Sequence, residues 1–94
     1  MIRSFADKTT ARVFRRERVR PLGPAVQRVA YKRLLILDAA RALGELRIPP
    51  GNRLEKLRGD RSGQYSLRIN DQWRLCFRWI RGDAFDVAIV DYHR

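Results

Sequence analysis

The spacing of apolar residues changes halfway along the chain, and this change constrains the fold more than any other feature. In residues 24–43, apolar side chains recur every three or four positions, as on the buried stripe of a helix. After Pro49 and Pro50 the spacing becomes two, which is typical of strands with one buried face. The sequence therefore predicts helices followed by a meander of strands, packed as two layers.

Two helices are predicted in the first half of the chain. Residues 2–5 are compatible with a short strand, and Asp7 after them is a candidate N-cap for a helix that runs to roughly Arg16. A second helix is expected over residues 24–43, because proline suits its first turn and Gly44 is a good stop. Its apolar stripe consists of Val26, Val29, Ala30, Leu34, Leu37 and Ala40.

Four strands are predicted in the second half, over residues 53–58, 64–70, 73–80 and 85–90. The last is apolar on both faces, as expected of a central strand. The predicted fold class is α+β: a short N-terminal strand and two helices packed on one face of a small, mainly antiparallel sheet of about four further strands. We expect residues 1–94 to form a single domain.

Alternation along the strands assigns their side chains to two faces. The face covered by the long helix is predicted to carry Tyr65, Leu67, Ile69, Trp73, Leu75, Phe77 and Trp79. The opposite face then carries Arg68, Arg74 and Arg78, three guanidinium groups that suit phosphate. The wet side of an antiparallel sheet would also carry such residues, and the pattern alone leaves both interpretations open.

The chain is strongly basic, with a formal net charge of +11 from 21 Lys+Arg and 10 Asp+Glu. Such a charge makes a polyanionic partner the first hypothesis, whether RNA, DNA, an anionic membrane or an acidic protein. Arginine far outnumbers lysine, which favours phosphate contacts. A genome rich in G+C would also produce an excess of arginine over lysine, so the composition alone leaves both explanations open.

Several classes of protein are excluded by what the chain lacks. A single cysteine, Cys76, and a single histidine, His93, rule out an internal disulfide framework and a Cys- or His-rich metal site. Cys76 is interpreted as a small filler side chain. We expect no cofactor and no metal. Without a signal segment or a membrane span, a cytoplasmic location is expected.

Three proton-handling side chains, Asp91, Tyr92 and His93, follow the last predicted strand. A metal-free ribonuclease needs one group to take the proton of a ribose 2′-hydroxyl and another to protonate the leaving 5′-oxygen. A cation must also neutralise the charge that develops on the phosphate. The same three residues would also serve simply to end a strand.

Several stretches resemble the HigB, or killer-protein, branch of the RelE/ParE superfamily of type II toxins. The most specific are Gly-Asp-Arg-x-Gly-x-Tyr-Ser at 59–66, Asn-x-x-Trp-Arg at 70–74 and Asp-Tyr-His at 91–93. Residues 1–5 and 49–55 add to the resemblance. It implies a RelE-like fold and a ribosome-dependent mRNA interferase, which cleaves in the ribosomal A site by metal-independent attack of a 2′-hydroxyl on the adjacent phosphate.

The resemblance also implies partners. They are a helix-turn-helix antitoxin similar to HigA, the ribosome and mRNA. Operator DNA is expected to be bound only through the antitoxin complex, and no membrane is involved.

Roles for single residues follow from the matched motifs. Arg74 is expected to bind the scissile phosphate, Arg58 to support the transition state, and Asp91, Tyr92 and His93 to form the acid/base and positioning end. Further candidate nucleic-acid contacts are Arg53, Glu55, Lys56, Arg61, Arg68 and Arg78.

Glu55 departs from the family pattern, because some members have a histidine in this strand. Glu55 itself then serves as the base, or the activity is weak, or the carboxylate forms an ion pair with Arg53 or a neighbouring strand. Two other functions also stay open. One is a ParE-like gyrase poison, against which the Asp-Tyr-His end argues, and the other is a non-catalytic basic module that binds RNA or ribosomes.

Overall fold

The computed structural model describes residues 1–92 and contains two helices on one face of a four-stranded antiparallel sheet. This arrangement confirms the predicted α+β class. The strands are hydrogen-bonded in chain order, β1-β2-β3-β4, as in a meander. The elements are α1 (Lys8–Phe14), α2 (Pro24–Ala39), β1 (Glu55–Lys56), β2 (Gln64–Arg68), β3 (Trp73–Ile80) and β4 (Asp83–Asp91).

The N-terminal segment lies along the outer edge of β4. It forms two isolated parallel bridges, Ile2 with Ala84 and Phe5 with Val87, in place of a continuous strand. Thus β4 has a neighbour on both edges, as predicted for a central strand.

Both helices begin where the sequence predicts, but the second ends earlier than predicted. The Asp7 side chain accepts a hydrogen bond from the Thr10 amide at 2.7 Å, which confirms the predicted N-cap. Helix α2 begins at Pro24 as predicted but ends at Ala39, so the prediction that it continues to Leu43 is wrong. The Glu45 carboxylate accepts a hydrogen bond from the Ala42 amide at 3.0 Å and begins a separate 3-10 turn there.

The core lies between α2 and the sheet and has the predicted faces. Leu34 and Leu37 of α2 are fully buried, as are Leu67, Leu75 and Phe77 of the sheet. Burying each such side chain contributes about 1.5–3 kcal/mol. The arginine-bearing strand positions therefore point away from the helices, and we call this side the open face. Within residues 1–92, no helix has the length and apolar character needed to cross a bilayer.

The first strand is shorter than predicted, because the backbone turns sharply just before it. A 3-10 turn over Pro50–Asn52 is followed by Arg53 in the left-handed region, with φ 46°. The buried Asn52 side chain donates to the carbonyl oxygens of Leu46 and Ile48, at 3.3 and 3.2 Å. This segment is therefore fixed in place, and only Glu55–Lys56 pairs with β2.

Candidate active site

A hollow of about 260 Å³ lies at one end of the open face, where the turn between β2 and β3 meets the end of β4. We call it the sheet hollow. Its lining consists of Arg53, Glu55, Arg68, Asn70, Asp71, Arg74 and Tyr92. Five of these seven residues were predicted from the sequence as site residues, and the fold brings them together from four separate segments.

Arg74 lies at the base of the sheet hollow, where a hydroxyl, a carbonyl oxygen and a carboxylate lie around its guanidinium. Its Nε donates to the hydroxyl of Ser66 at 2.7 Å, and its Nη2 donates to the carbonyl oxygen of Arg53 at 2.8 Å. A Glu55 carboxylate oxygen lies 3.8 Å from the same Nη2. With only 8% of the residue exposed, the guanidinium is oriented before any ligand arrives.

The acceptor that Arg53 offers depends on the sharp turn before β1. Because Arg53 is in the left-handed conformation, its carbonyl accepts from Arg74 while its side chain lines the sheet hollow. The sequence motif predicted only a phosphate contact by the side chain. The contact through the main-chain oxygen was not predicted. The one feature of the sequence that points to it is the Pro-Pro-Gly-Asn run, which forms the turn.

The end of β4 is fastened to the turn between β2 and β3. The Tyr92 amide donates to the carbonyl oxygen of Gln72 at 2.8 Å, and Tyr92 lines the sheet hollow. Asp91 is exposed, accepts from the Gln72 side chain at 3.0 Å and does not line the hollow. The predicted His93 lies outside the described residues.

Two lining residues, Asn70 and Asp71, were missed by the sequence analysis as site residues. The Asn70 side-chain oxygen accepts from the amides of Gln72 and Trp73, at 2.9 and 2.7 Å, and so builds the turn. Asp71 forms an ion pair with Arg68 at 2.6 Å. The sequence feature that could have indicated these two residues is an asparagine at the start of the turn after a strand.

The remaining predicted contacts lie outside the sheet hollow; they are Arg58, Lys56, Arg61 and Arg78. Arg78 shares the open face with Arg74 but lies four residues further along β3, a distance of about 13 Å. Its guanidinium forms an ion pair with Asp86 at 3.5 Å. Of the three arginines predicted on this face, Arg68 and Arg74 therefore line the sheet hollow, whereas Arg78 lies outside it.

Cys76 lies on the same strand and is fully buried. Burial raises the pKa of its thiol, an effect that the nearby Arg61 and Arg74 oppose. Its chemistry is thus that of a small buried side chain. Among residues 1–92, no three His, Cys, Asp or Glu side chains are grouped closely enough to hold a metal ion.

The fold is similar to that of a chain in the solved YoeB-YefM complex from Staphylococcus aureus, with a TM-score of 0.61. The match covers 100% of this chain and 99% of that chain at 18% sequence identity. This likeness places the architecture in the class of RelE-like toxin folds.

Sequence comparisons then identify the family. A model described as "RelE-like toxin of type II toxin-antitoxin system HigB" matches residues 3–93. Toxin HigB-1 of Vibrio cholerae serotype O1 is 39% identical over 95 residues, covering 100% of this chain and 99% of that protein. Endoribonuclease HigB of Proteus vulgaris is 36% identical over 99 residues, covering 99% and 100%. The chain therefore belongs to the family of HigB-like toxins of type II toxin–antitoxin systems, as the sequence motifs predicted.

Proposed function

We propose that this toxin is an endoribonuclease that cleaves mRNA in the A site of the ribosome, in the cytoplasm and without a metal ion. The observation that carries the proposal is the fixed guanidinium of Arg74 at the base of the sheet hollow, beside Tyr92. The name of the Proteus vulgaris relative, an endoribonuclease, supports the same activity.

The proposed reaction needs a cation where Arg74 lies. A ribose 2′-oxygen attacks the adjacent phosphorus, the bond to the 5′-oxygen breaks, and the products are a 2′,3′-cyclic phosphate and a 5′-hydroxyl. Negative charge develops on the non-bridging oxygens during the attack. A donor that is already oriented stabilises this charge without having to reorganise. In many enzymes such electrostatic stabilisation is the largest contribution to the rate enhancement. Arg53 and Arg68 on the walls of the hollow bind the neighbouring phosphates.

Two proton transfers complete the reaction. The proton of the 2′-hydroxyl passes to a base, and the 5′-oxygen receives a proton as it leaves. We assign these steps to the C-terminal residues Asp91, Tyr92 and His93. Of the two that the structure describes, Tyr92 lines the sheet hollow. Glu55 is assigned a different role, because its carboxylate lies 3.8 Å from Arg74 and so helps to hold the guanidinium.

The partners follow from the family and from the charge. A net charge of +11 promotes fast, salt-sensitive association with the ribosome. Membership of a toxin–antitoxin family supports a cognate antitoxin, which we propose to be a HigA-like helix-turn-helix protein. In this proposal operator DNA is bound only through the toxin–antitoxin complex.

The test is to add the purified toxin to a reconstituted translation reaction and to map the ends of the mRNA. We expect breaks at defined codon positions that require ribosomes and leave cyclic phosphate and 5′-hydroxyl ends. Arg74→Ala should abolish these breaks. Arg41→Ala is the matched control: Arg41 is exposed, and its carbonyl oxygen lies near Gly82, at the far end of the sheet.

Three results would reject the proposal. Intact mRNA with normal translation would reject cleavage. Ribosome binding without cleavage would favour a non-catalytic basic module. DNA cleavage complexes that form with gyrase in the absence of ribosomes would favour a ParE-like poison.

A further inference from the structure

A second hollow, of about 280 Å³, lies on the helical side of the molecule. We call it the helical hollow. Its lining consists of Val13, Arg16, Arg18, Pro24, Gln27, Arg28 and Tyr31, of which three are arginines and none is acidic. Because α1 and α2 cover the sheet face opposite Arg74, this hollow is separate from the sheet hollow.

The Gln27 side chain of α2 binds the loop that forms one wall of the helical hollow. Gln27 donates through Nε2 to the carbonyl oxygen of Glu17 at 2.6 Å and accepts through Oε1 from the amide of Val19 at 3.2 Å. These two bonds hold the backbone on both sides of Arg18. A ligand that binds there does not have to order the loop first, which favours affinity.

The position of Arg16 is also fixed by the structure. Its backbone has φ 65°, in the left-handed region that glycine usually occupies, and its guanidinium lies 5.6 Å from the ring centroid of Tyr31. The neighbouring Glu17 carboxylate accepts from the Nε atoms of Arg12 and Arg15, at 3.3 and 2.7 Å. Arg12 and Arg15 do not line the hollow. Because the Glu17 carboxylate pairs with these two arginines, it does not neutralise the arginines of the lining, and the hollow stays basic.

We propose that the helical hollow binds an acidic segment of the antitoxin. Carboxylates of the segment pair with Arg16, Arg18 and Arg28, and an apolar side chain between them packs against Val13 and Pro24. The inference rests on the proposed function for the existence of the antitoxin, but the location rests on the hollow itself.

Two features favour an acidic peptide over RNA as the ligand. The hollow combines its guanidinium groups with the apolar surfaces of Val13 and Pro24, which suit an aliphatic side chain. Tyr31, the aromatic residue of the lining, already has the Arg16 guanidinium over its ring, so a base cannot stack on that side.

The experiment uses the cognate antitoxin of the proposed function, purified and titrated into the full-length toxin by calorimetry. The double variant Arg18→Glu/Arg28→Glu reverses two charges of the hollow. Arg41→Glu/Arg47→Glu makes the same change in net charge at exposed positions outside it. We expect the first pair to raise the Kd at least about tenfold and the second pair about twofold or less.

A second variant guards against effects on folding. Arg16→Gly removes one guanidinium while placing glycine at a positive φ, which glycine adopts without strain. It should raise the Kd several-fold without lowering the midpoint of thermal unfolding.

The possible outcomes test the proposed binding site and the proposed antitoxin partner separately. Unchanged affinity in both hollow variants, with tight binding by the wild-type toxin, would overturn the location. Unchanged antitoxin affinity with weakened binding to ribosomes would show an RNA site and would also overturn it. No binding of the antitoxin to the wild-type toxin would overturn this inference and the proposed partner together, whereas mRNA cleavage tests the proposed nuclease independently.

Discussion

The two ends of the open face contain the same residue type in different surroundings. At the end with the sheet hollow, Arg74 is buried and is held by a hydroxyl, a carbonyl oxygen and a carboxylate. At the hairpin end, the side chain of Arg78 is 44% exposed and has one ion-pair distance, 3.5 Å to Asp86. Both arginines belong to β3 and to one face, so strand parity does not determine their surroundings. The acceptors on neighbouring segments determine how firmly each guanidinium is held.

The other charges at the hairpin end serve the fold. Asp83 lies 3.3 Å from the N-terminal amine and 3.1 Å from Arg3, so it fastens the N-terminal segment to β4. At the sheet hollow the cationic side chains instead surround a space large enough for a ligand. We therefore expect substitutions at the hollow end to affect catalysis and those at the hairpin end to affect stability.

The largest difference is expected between Arg74→Ala and Arg78→Ala. In the proposed reaction, loss of Arg74 removes the donor that stabilises the charge on the phosphate, so the single-turnover rate of mRNA cleavage should fall at least about 100-fold. Loss of Arg78 removes an exposed charge and should lower the rate a few-fold at most. Thermal unfolding of both variants is the control for folding. Equal effects on the rate would show that the two ends of the open face act alike.

A smaller effect is expected from Ser66→Ala, which removes the 2.7 Å bond to the Nε atom of Arg74. A hydrogen bond to a charged group contributes about 1.5–3 kcal/mol, and we expect roughly a tenfold loss in kcat with little change in KM. Ser62→Ala is the matched control, because Ser62 is exposed and lies outside the sheet hollow. A loss confined to KM would contradict a positioning role for Ser66.

Glu55→Gln distinguishes the two roles considered for this carboxylate. If Glu55 only holds Arg74, the amide oxygen keeps part of the contact, and we expect a loss of about fivefold, since a partly exposed pair contributes about 1 kcal/mol. The pH–rate profile should keep its shape. Disappearance of the acidic limb of the profile, with a much larger loss, would identify Glu55 as the general base instead.

The smallest effect is expected at the hairpin end, from Asp83→Asn. The hydrogen bond from Arg3 and the N-terminal amine lower the pKa of Asp83 in the folded state. A lowered pKa stabilises the fold above the carboxyl's ordinary pKa, and this stabilisation is lost as the pH falls through the lowered value. The variant should therefore unfold at a slightly lower temperature than the wild type at pH 7, and the difference should vanish in acid. A difference that persists at pH 2 would show that the ion pairs are not its cause.

Local features of the sequence determined much of this protein. The N-cap at Asp7, the helix start at Pro24 and the full extent of β3 over residues 73–80 are as predicted. Each depends on the conformational preference of one residue or on a period of two, and both are readable from neighbours in the chain. Motifs of the same local kind identified the family.

The tertiary structure alone decided which of the predicted residues form a site. Arg74 is fixed by the carbonyl oxygen of Arg53, 21 residues earlier, and Tyr92 reaches the sheet hollow through a bond to Gln72. Such contacts join segments whose approach is set by the packing of the whole sheet and its helices. Strand parity does not encode them, so the alternation pattern placed Arg74 and Arg78 on one face without distinguishing their surroundings.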